Sequence, residues 1–554
     1  MVQKFMTLDE KVAEYKNQFD VLEVVDLDYW HKLKIYRRDP WLRDTLRPLY
    51  QPVYQDNQRI LFKITQCKDM TAILNRLQHW LFKIDISNCF VVILSNDSEV
   101  RTYWQLGPDA SNITFDVYHS EEYIADQPSE YQYNSTDLVR AIDLTKHEQF
   151  LLTESKTFCM YPWIHLHAYP TGEAYPCCHA EMGVGLVGNC RNNTLEEIWN
   201  SDKQKQLRQD MLSETFNPTC GRCYEQEDNG FFSGRRSVNK HHGHHISRAA
   251  QTQADGALDK FEMTYWDIRF SNLCNLKCRS CGHIFSSQWY QDQAKLAGGN
   301  WKDRNTVLNY AGRTELDMWE QLEPHLDYVE QIYFAGGEPL LMEEHYRILE
   351  ELVRRKLFHV RLVYNTNFTH TELKGKSVFE YWKQFDSVAV GASLDGSGAI
   401  GEYIRKGTDW AVIEQNRQDM MRICPEVDFY ISPTLSIMNV WHLPDFHRDW
   451  TERGFIRAQD LNVNALQDPA HYRIDIAPAE YKQQLVTKYQ NHITWLRSQD
   501  SLGRATNGFE SAINFMTATD NTHLIDTFWR KTHQLDEIRK ESILDVIPEL
   551  AALQ

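Results

Sequence analysis

Cys274, Cys278 and Cys281 stand in the run Asn272-Leu-Cys-Asn-Leu-Lys-Cys-Arg-Ser-Cys-Gly282, directly after the strand-like stretch Met263-Thr-Tyr-Trp-Asp-Ile-Arg-Phe270. Three thiolates in one short loop can hold three irons of a cubane cluster while leaving the fourth iron open. Electron-transfer and structural sites usually close their coordination with four. The C-x3-C-x2-C spacing therefore points to a reactive centre at the end of a strand.

The next motif narrows the chemistry. Val329-Glu-Gln-Ile-Tyr-Phe-Ala335 reads as a buried strand and runs into Gly336-Gly337-Glu338-Pro339. The glycines let a ligand come close to the backbone, and Pro339 stiffens the exit. The two motifs, in this order, resemble the radical S-adenosylmethionine superfamily. The resemblance implies that Cys274, Cys278 and Cys281 hold a 4Fe-4S cluster and that Gly336, Gly337 and Glu338 receive the methionyl amino group of S-adenosylmethionine. It also implies that Asn367, Ser393 and Asp395, at the ends of the next two strands, are cofactor neighbours. Arg405, in Tyr403-Ile-Arg-Lys-Gly407, would meet the cofactor carboxylate with its planar fork of donors. One departure is Ser280, where relatives carry an aromatic residue beside the adenine; Phe285 or Trp289 is the expected substitute.

Strand-like runs recur at Met263, Val329, Val360, Val388, Val427 and Leu461, with amphipathic stretches between them. Tyr346, Leu349, Leu352, Val353 and Leu357 show helical spacing over 343–357. Repeated strand and helix means parallel pairing, so the expected fold is α/β with a partial (β/α)6 TIM-like barrel over residues 261–470. Chemistry in such barrels gathers at the carboxyl ends of the strands, where all the motifs above fall.

Nine of the twelve cysteines lie between Cys159 and Cys281. With no secretory signal beside them, metal ligation explains the clustering better than disulfides do. The segment holds Cys159-Met-Tyr-Pro-Trp163, Tyr175-Pro-Cys177-Cys178, Leu195-Glu-Glu-Ile-Trp199 and Cys220-Gly-Arg-Cys223. It is similar to the SPASM or twitch modules that carry an auxiliary cluster on many radical enzymes, and the resemblance implies a second 4Fe-4S cluster on Cys159, Cys177, Cys220 and Cys223. Such modules usually follow the barrel, whereas this one precedes it. Cys178 and Cys190 are spare, either as alternative ligands or, for Cys190, as a buried small side chain. A zinc ribbon is the competing account of the four thiolates.

The expected layout is an N-terminal α/β domain over 1–150, the cysteine-rich module over 151–240, a linker over 241–260 rich in histidine (His241-His-Gly-His-His245), the barrel, and a helical region over 471–554. The linker is read as polar rather than metal-binding, with Arg235 and Arg236 facing either an anionic substrate or solvent. Strands are expected at 19–25, 59–65 and 90–94, with a helix at 70–81, and Cys67 and Cys89 as incidental thiols. Helices are expected at 480–496 and 522–553.

The formal charge of -18 argues against broad contact with nucleic acid phosphates. No run reaches the ~18 apolar residues of a membrane span, so a cytoplasmic protein is expected. The resemblance further implies an external one-electron donor of flavodoxin or ferredoxin type, and reductive cleavage of S-adenosylmethionine to a 5'-deoxyadenosyl radical that abstracts hydrogen from a peptide or protein substrate. A radical enzyme acting on a sugar or nucleotide is the alternative within the class. A non-catalytic zinc-binding interaction protein is the alternative outside it.

Overall fold

The computed structural model describes residues 145–228, 233–312, 317–500 and 503–554, and the backbone of seven strands nearer the N-terminus. The chain divides into two compact units. One comprises Met1–Ile164, His179–Gly185 and Asp202–Lys260, the other His165–Cys178, Leu186–Ser201 and Phe261–Gln554.

In the first unit, β1 (Val21–Asp26), β2 (Tyr50–Gln55), β3 (Arg59–Ile64), β4 (Cys89–Leu94), β5 (Val100–Leu106), β6 (Ile113–His119) and β7 (Tyr131–Tyr133) form one sheet in the order β2-β3-β1-β4-β5-β6-β7. Every pairing is antiparallel. β1, β3 and β4 are the three strands expected, and their β-branched and aromatic content suits a pleated surface. The helix expected at 70–81, Cys67 and the Cys89 side chain lie outside the described residues.

The same unit contains helices Lys146–Thr153, Asp202–Leu212, Gly221–Asp228 and Gly234–His242. The first begins with a capping box in which Thr145 and Glu148 satisfy each other's backbone N–H groups. The last is capped by the Ser233 hydroxyl and runs on as a tighter helix, Gly243–Gln251. The first part of the stretch expected as a polar linker is thus helical, because Val238, His242, Ile246 and Ala249 supply a buried stripe among the histidines.

The second unit is built on a sheet of β8 (His165–Ala168), β9 (Glu173–Tyr175), β10 (Gly188–Asn189), β11 (Tyr265–Ile268), β12 (Gln331–Phe334), β13 (Arg361–Thr366), β16 (Val388–Ala392) and β17 (Asp428–Ile431), in the order β10-β9-β8-β11-β12-β13-β16-β17. Between β13 and β16 lies a two-stranded ladder, β14 (Glu372–Leu373) with β15 (Lys376–Ser377). The six strands from β8 to β17 pair in parallel. β8 was not anticipated: it precedes the cysteine loop by about a hundred residues yet pairs with β11 in the register Tyr265↔His165 and Asp267↔His167. At the other edge, the strand expected at Leu461 is reduced to a bridge with Ile431 and a short pair of β18 (Thr434–Leu435) with β19 (Asn464–Ala465).

Helices cover one face of this sheet. Helix Glu343–Arg354 buries His345, Tyr346, Ile348, Leu349 and Leu352. His345 Nε2 lies 2.9 Å from the Tyr364 hydroxyl, and Tyr364 stacks on Phe334 at 5.0 Å. Each such large apolar side chain, fully buried, contributes about 1.5–3 kcal/mol. The other face follows from the period of two: His165, His167, Tyr265, Asp267, Gln331 and Tyr333 alternate with the apolar residues and make it polar.

The C-terminal part holds helices Ala479–Leu496, Arg504–Ala518 and Ile525–Arg539. The expected run 522–553 is broken after Arg539, where Lys540 takes a left-handed conformation (φ 56), and again at Pro548.

Candidate active site and cluster-binding segments

β11 ends at Ile268, and the chain turns through Ser271 and Asn272 into the cysteine loop. Cys274, Leu276 and Cys278 are buried together and Cys281 packs against them. The loop is pinned on several sides. Cys274 N–H reaches the Ser287 hydroxyl at 3.3 Å, Trp289 donates its indole N–H to the Cys278 carbonyl at 2.8 Å, and Cys281 N–H bonds the same carbonyl at 3.0 Å. Lys277 and Arg279 N–H groups donate to the carbonyls of Lys406 and Ile404 at 2.9 and 2.8 Å.

The Gly-Gly segment lies directly on this loop. Gly337 N–H donates to Ser271 O at 3.2 Å and Glu338 N–H to Leu273 O at 2.7 Å. A Cβ on Gly337 would stand 2.2 Å from Leu273 O, and Gly336 sits at φ +122 with room for little beyond the Arg269 stem. Glycine is required at both places, at one for the close approach and at the other for the backbone angle.

Glu338 is buried and turned inward, accepting the Thr366 hydroxyl at 2.7 Å, Asn367 N–H at 2.7 Å and Leu340 N–H at 3.1 Å. Burial pushes its carboxyl up to about 7, against the pull of these donors. Asn367 reaches the loop, with its amide 2.9 Å from Asn275 Oδ1 and 3.9 Å from Cys274 Sγ. Arg405 forks onto Asp395 at 2.8 and 3.0 Å and places Nη1 3.6 Å from Cys278 Sγ. Ser393, half-buried, follows β16 and donates its N–H to Thr366 O. The structure thus brings Cys274, Cys278, Cys281, Gly337, Glu338, Asn367, Asp395 and Arg405 into one hydrogen-bonded and ionic network. Trp289 is spent on the loop backbone, while Phe285 packs 5.7 Å from Tyr169.

The donor set fits a metal cluster. Burial pushes all three thiols up, and at Cys274 and Cys281 the neighbouring Cys278 adds to it. Three sulfurs, two buried and one partly buried, that resist becoming thiolates on their own are stabilised as thiolates by a cation placed among them.

Sequence reasoning missed the polar face below this rim. His167 Nδ1 lies 2.8 Å from Asp267 Oδ2, both side chains being almost wholly buried, and Arg269 Nε lies 3.4 Å from Asp267 Oδ1. The charges of His167 and Arg269 outweigh burial and hold the Asp267 carboxyl well below the usual range. His167 Nε2 has no hydrogen-bond partner among the described residues. Cys178 lies within electrostatic reach of Tyr169, Tyr265, Arg269 and Tyr333. The alternation His165-x-His167 and Tyr265-x-Asp267-x-Arg269 was the available signal.

In the first unit, Cys159, Cys220 and Cys223 form a second group. Burial raises all three, and each of Cys159 and Cys220 is raised further by the neighbouring cysteines. Cys177 and Cys178 belong to the second unit, as does Cys190, which is fully buried with its thiol pushed up to about 12 by burial.

Residues 159–224 match the SPASM family model, described as an iron-sulfur cluster-binding domain. This segment is similar to the SPASM iron-sulfur domains. The match favours iron-sulfur over zinc for its cysteines. No curated protein matches the chain. Among solved structures, the chain is similar to native anSMEcpe with bound AdoMet at 20% identity, covering 41% of this chain and 60% of that one, with a TM-score of 0.28. For the same protein with AdoMet and Cp18Cys peptide the values are 20%, 41%, 59% and 0.27, and with Kp18Cys peptide 19%, 43%, 60% and 0.28. The chain thus matches about three fifths of the length of these structures. Among the described residues no helix is long and apolar enough to cross a membrane.

Proposed function

We propose that this chain is a radical S-adenosylmethionine enzyme that modifies a peptide or protein, with the parallel sheet of the second unit as a partial barrel and the SPASM domain carrying a second 4Fe-4S cluster. The observation that carries the reading is the backbone pairing of Gly337 and Glu338 with Ser271 and Leu273, which seats the Gly-Gly segment on a buried three-cysteine loop.

Cys274, Cys278 and Cys281 would hold a 4Fe-4S cluster, which with bound S-adenosylmethionine would supply one-electron cleavage of the S–C5' bond to methionine and a 5'-deoxyadenosyl radical able to take hydrogen from substrate. The chain's own residues do the rest. Gly336 and Gly337 bring the backbone that would receive the methionyl amino group onto the cysteine loop, Arg405 offers its guanidinium beside Cys278, and Asp395 keeps that guanidinium in place. Glu338 orients the ends of β12 and β13, Asn367 covers Cys274, and Ser393 lines the same rim.

The polar face is the proposed substrate chamber. There Asp267 fixes the His167 ring through Nδ1 and leaves Nε2 without a partner among the described residues, which orients that nitrogen for a polar group of the substrate. Cys159, Cys220 and Cys223 hold the second cluster, with Cys177 assigned as the fourth ligand by its sequence position. The electron would come from a flavodoxin- or ferredoxin-type donor, and a cytoplasmic location fits the absence of a spanning helix among the described residues.

The test is anaerobic cleavage of S-adenosylmethionine by the reconstituted, dithionite-reduced protein, compared with a variant carrying Cys274→Ala, Cys278→Ala and Cys281→Ala. Wild type should release 5'-deoxyadenosine and the variant none. An iron-replete wild type that releases none, with or without added peptide, removes the reading.

A further inference from the structure

Helix Gly234–His242 does more than connect. Its N-terminal amides, Gly234 and Arg235, face the Cys223 thiol and pull it down against the upward push of burial. One turn apart on the same helix, Arg235 and Asn239 grip the chain around Cys159. Arg235 Nη1 donates to Ser155 O at 2.9 Å and Phe158 O at 2.8 Å. Asn239 donates to Phe158 O at 3.0 Å and accepts Met160 N–H at 2.9 Å, which brackets Cys159 on both sides. The rest of the guanidinium forks onto Glu227, with Nε 2.9 Å from Oε1 and Nη2 on Oε2, and Glu227 lies four residues beyond Cys223 on helix Gly221–Asp228.

Arg235 is therefore a buried, fully engaged cation that cannot swing away from the three sulfurs. Its charge acts on Cys159, Cys220 and Cys223, whereas the Glu227 carboxylate acts on Cys223 in the opposite sense. A cluster held there becomes more negative by one charge on reduction. In a poorly hydrated site a fixed cation favours that state and a fixed anion opposes it. Hydrogen bonds to the sulfurs act in the same sense as the cation.

We propose that Arg235 and Glu227 set the reduction potential of the second cluster in opposite directions, Arg235 raising it and Glu227 lowering it, while Arg235 and Asn239 position the Cys159 segment. The proposal rests on the reading that residues 159–224 bind a cluster. The redox change concerned is uptake of one electron by that cluster, supplied in the test by dithionite, with no bond made or broken.

The experiment uses the full-length chain bearing Cys274→Ala, Cys278→Ala and Cys281→Ala, so that only the second cluster reports. Iron content is measured after anaerobic reconstitution, and the midpoint potential is read by spectroscopically monitored dithionite titration. Against this background Arg235→Met should shift the potential down, Glu227→Gln should shift it up, and Arg235→Lys, which keeps the charge but not the fork, should stay near the parent while losing iron faster to a chelator. Shifts of the same sign, or none, overturn the assignment. If Arg235→Met holds no iron, Glu227→Gln alone decides by the sign of its shift. A parent protein that binds no iron overturns the cluster reading itself, a result distinct from an iron-loaded protein with unmoved potentials.

Discussion

Thr366 donates its hydroxyl to Glu338 Oε1 at 2.7 Å, which ties the end of β13 to the turn after β12. The same carboxylate is raised by burial to about 7. In the unfolded chain it ionises near its ordinary 4.5, so between these values the folded protein keeps a proton the unfolded chain has lost. Its contribution is full below 4.5 and is lost as pH rises to about 7, a change of roughly 3 kcal/mol. Glu338→Gln should flatten the fall in stability between pH 5 and pH 8 in denaturant titrations. An unchanged slope in the variant would place the titrating group elsewhere.

Gly337→Ala brings a Cβ against Leu273 O, a backbone atom that cannot turn aside. The expected cost is about 1–3 kcal/mol, felt where the cysteine loop and the Gly-Gly segment meet. If the chain holds two clusters as proposed, iron bound per chain should drop by about half after reconstitution, since residues 159–224 are untouched. Full iron with an unaltered melting temperature would contradict the close packing.

Arg405 contacts Asp395 by two nitrogens and stands 3.6 Å from Cys278 Sγ. Lysine keeps the charge and loses the fork, so Arg405→Lys should weaken S-adenosylmethionine binding roughly tenfold, the order of one lost charge-assisted hydrogen bond. Equilibrium dialysis on reconstituted protein measures it. Affinity equal to wild type would move the carboxylate contact to another residue.

Arg279, inside the cysteine loop and fully buried, pairs with Asp536 and with Glu541 at 2.7 Å, and lies over the Tyr403 ring at 3.8 Å. Tyr403 in turn donates its hydroxyl to Asp536 at 2.7 Å. Asp536→Asn should destabilise the protein by roughly 3 kcal/mol, because a buried cation loses one of its two counter-charges. The loop should also surrender iron to a chelator faster than wild type. A variant that melts later, or keeps its iron equally well, would show that the C-terminal helix does not hold the loop.

The cysteine loop and the Gly-Gly-Glu-Pro turn were legible because their chemistry needs particular residue types at short, fixed spacing. The order of strand and helix from β11 to β17 was legible for a similar reason, since burial on one face or one stripe writes a period of 2 or 3.6 into the chain. β8 was not legible. His165-Leu-His-Ala168 is four residues with no apolar run, and it becomes a strand because β11 offers its edge. Residues 241–260 are read as linker because histidines dominate their start, although Ile246 and Ala249 are placed to be buried.

By itself the sequence determined which cysteines cluster, the order in which they come, and the α/β alternation that carries the three-cysteine loop to a strand end. The tertiary structure alone decided which charges meet. Arg279 and Asp536 are 257 positions apart, and His167 reaches Asp267 across a hundred. Such pairs leave no local period or spacing in the chain. They are selected by the path of the backbone and by the cost of burying a charge without its partner.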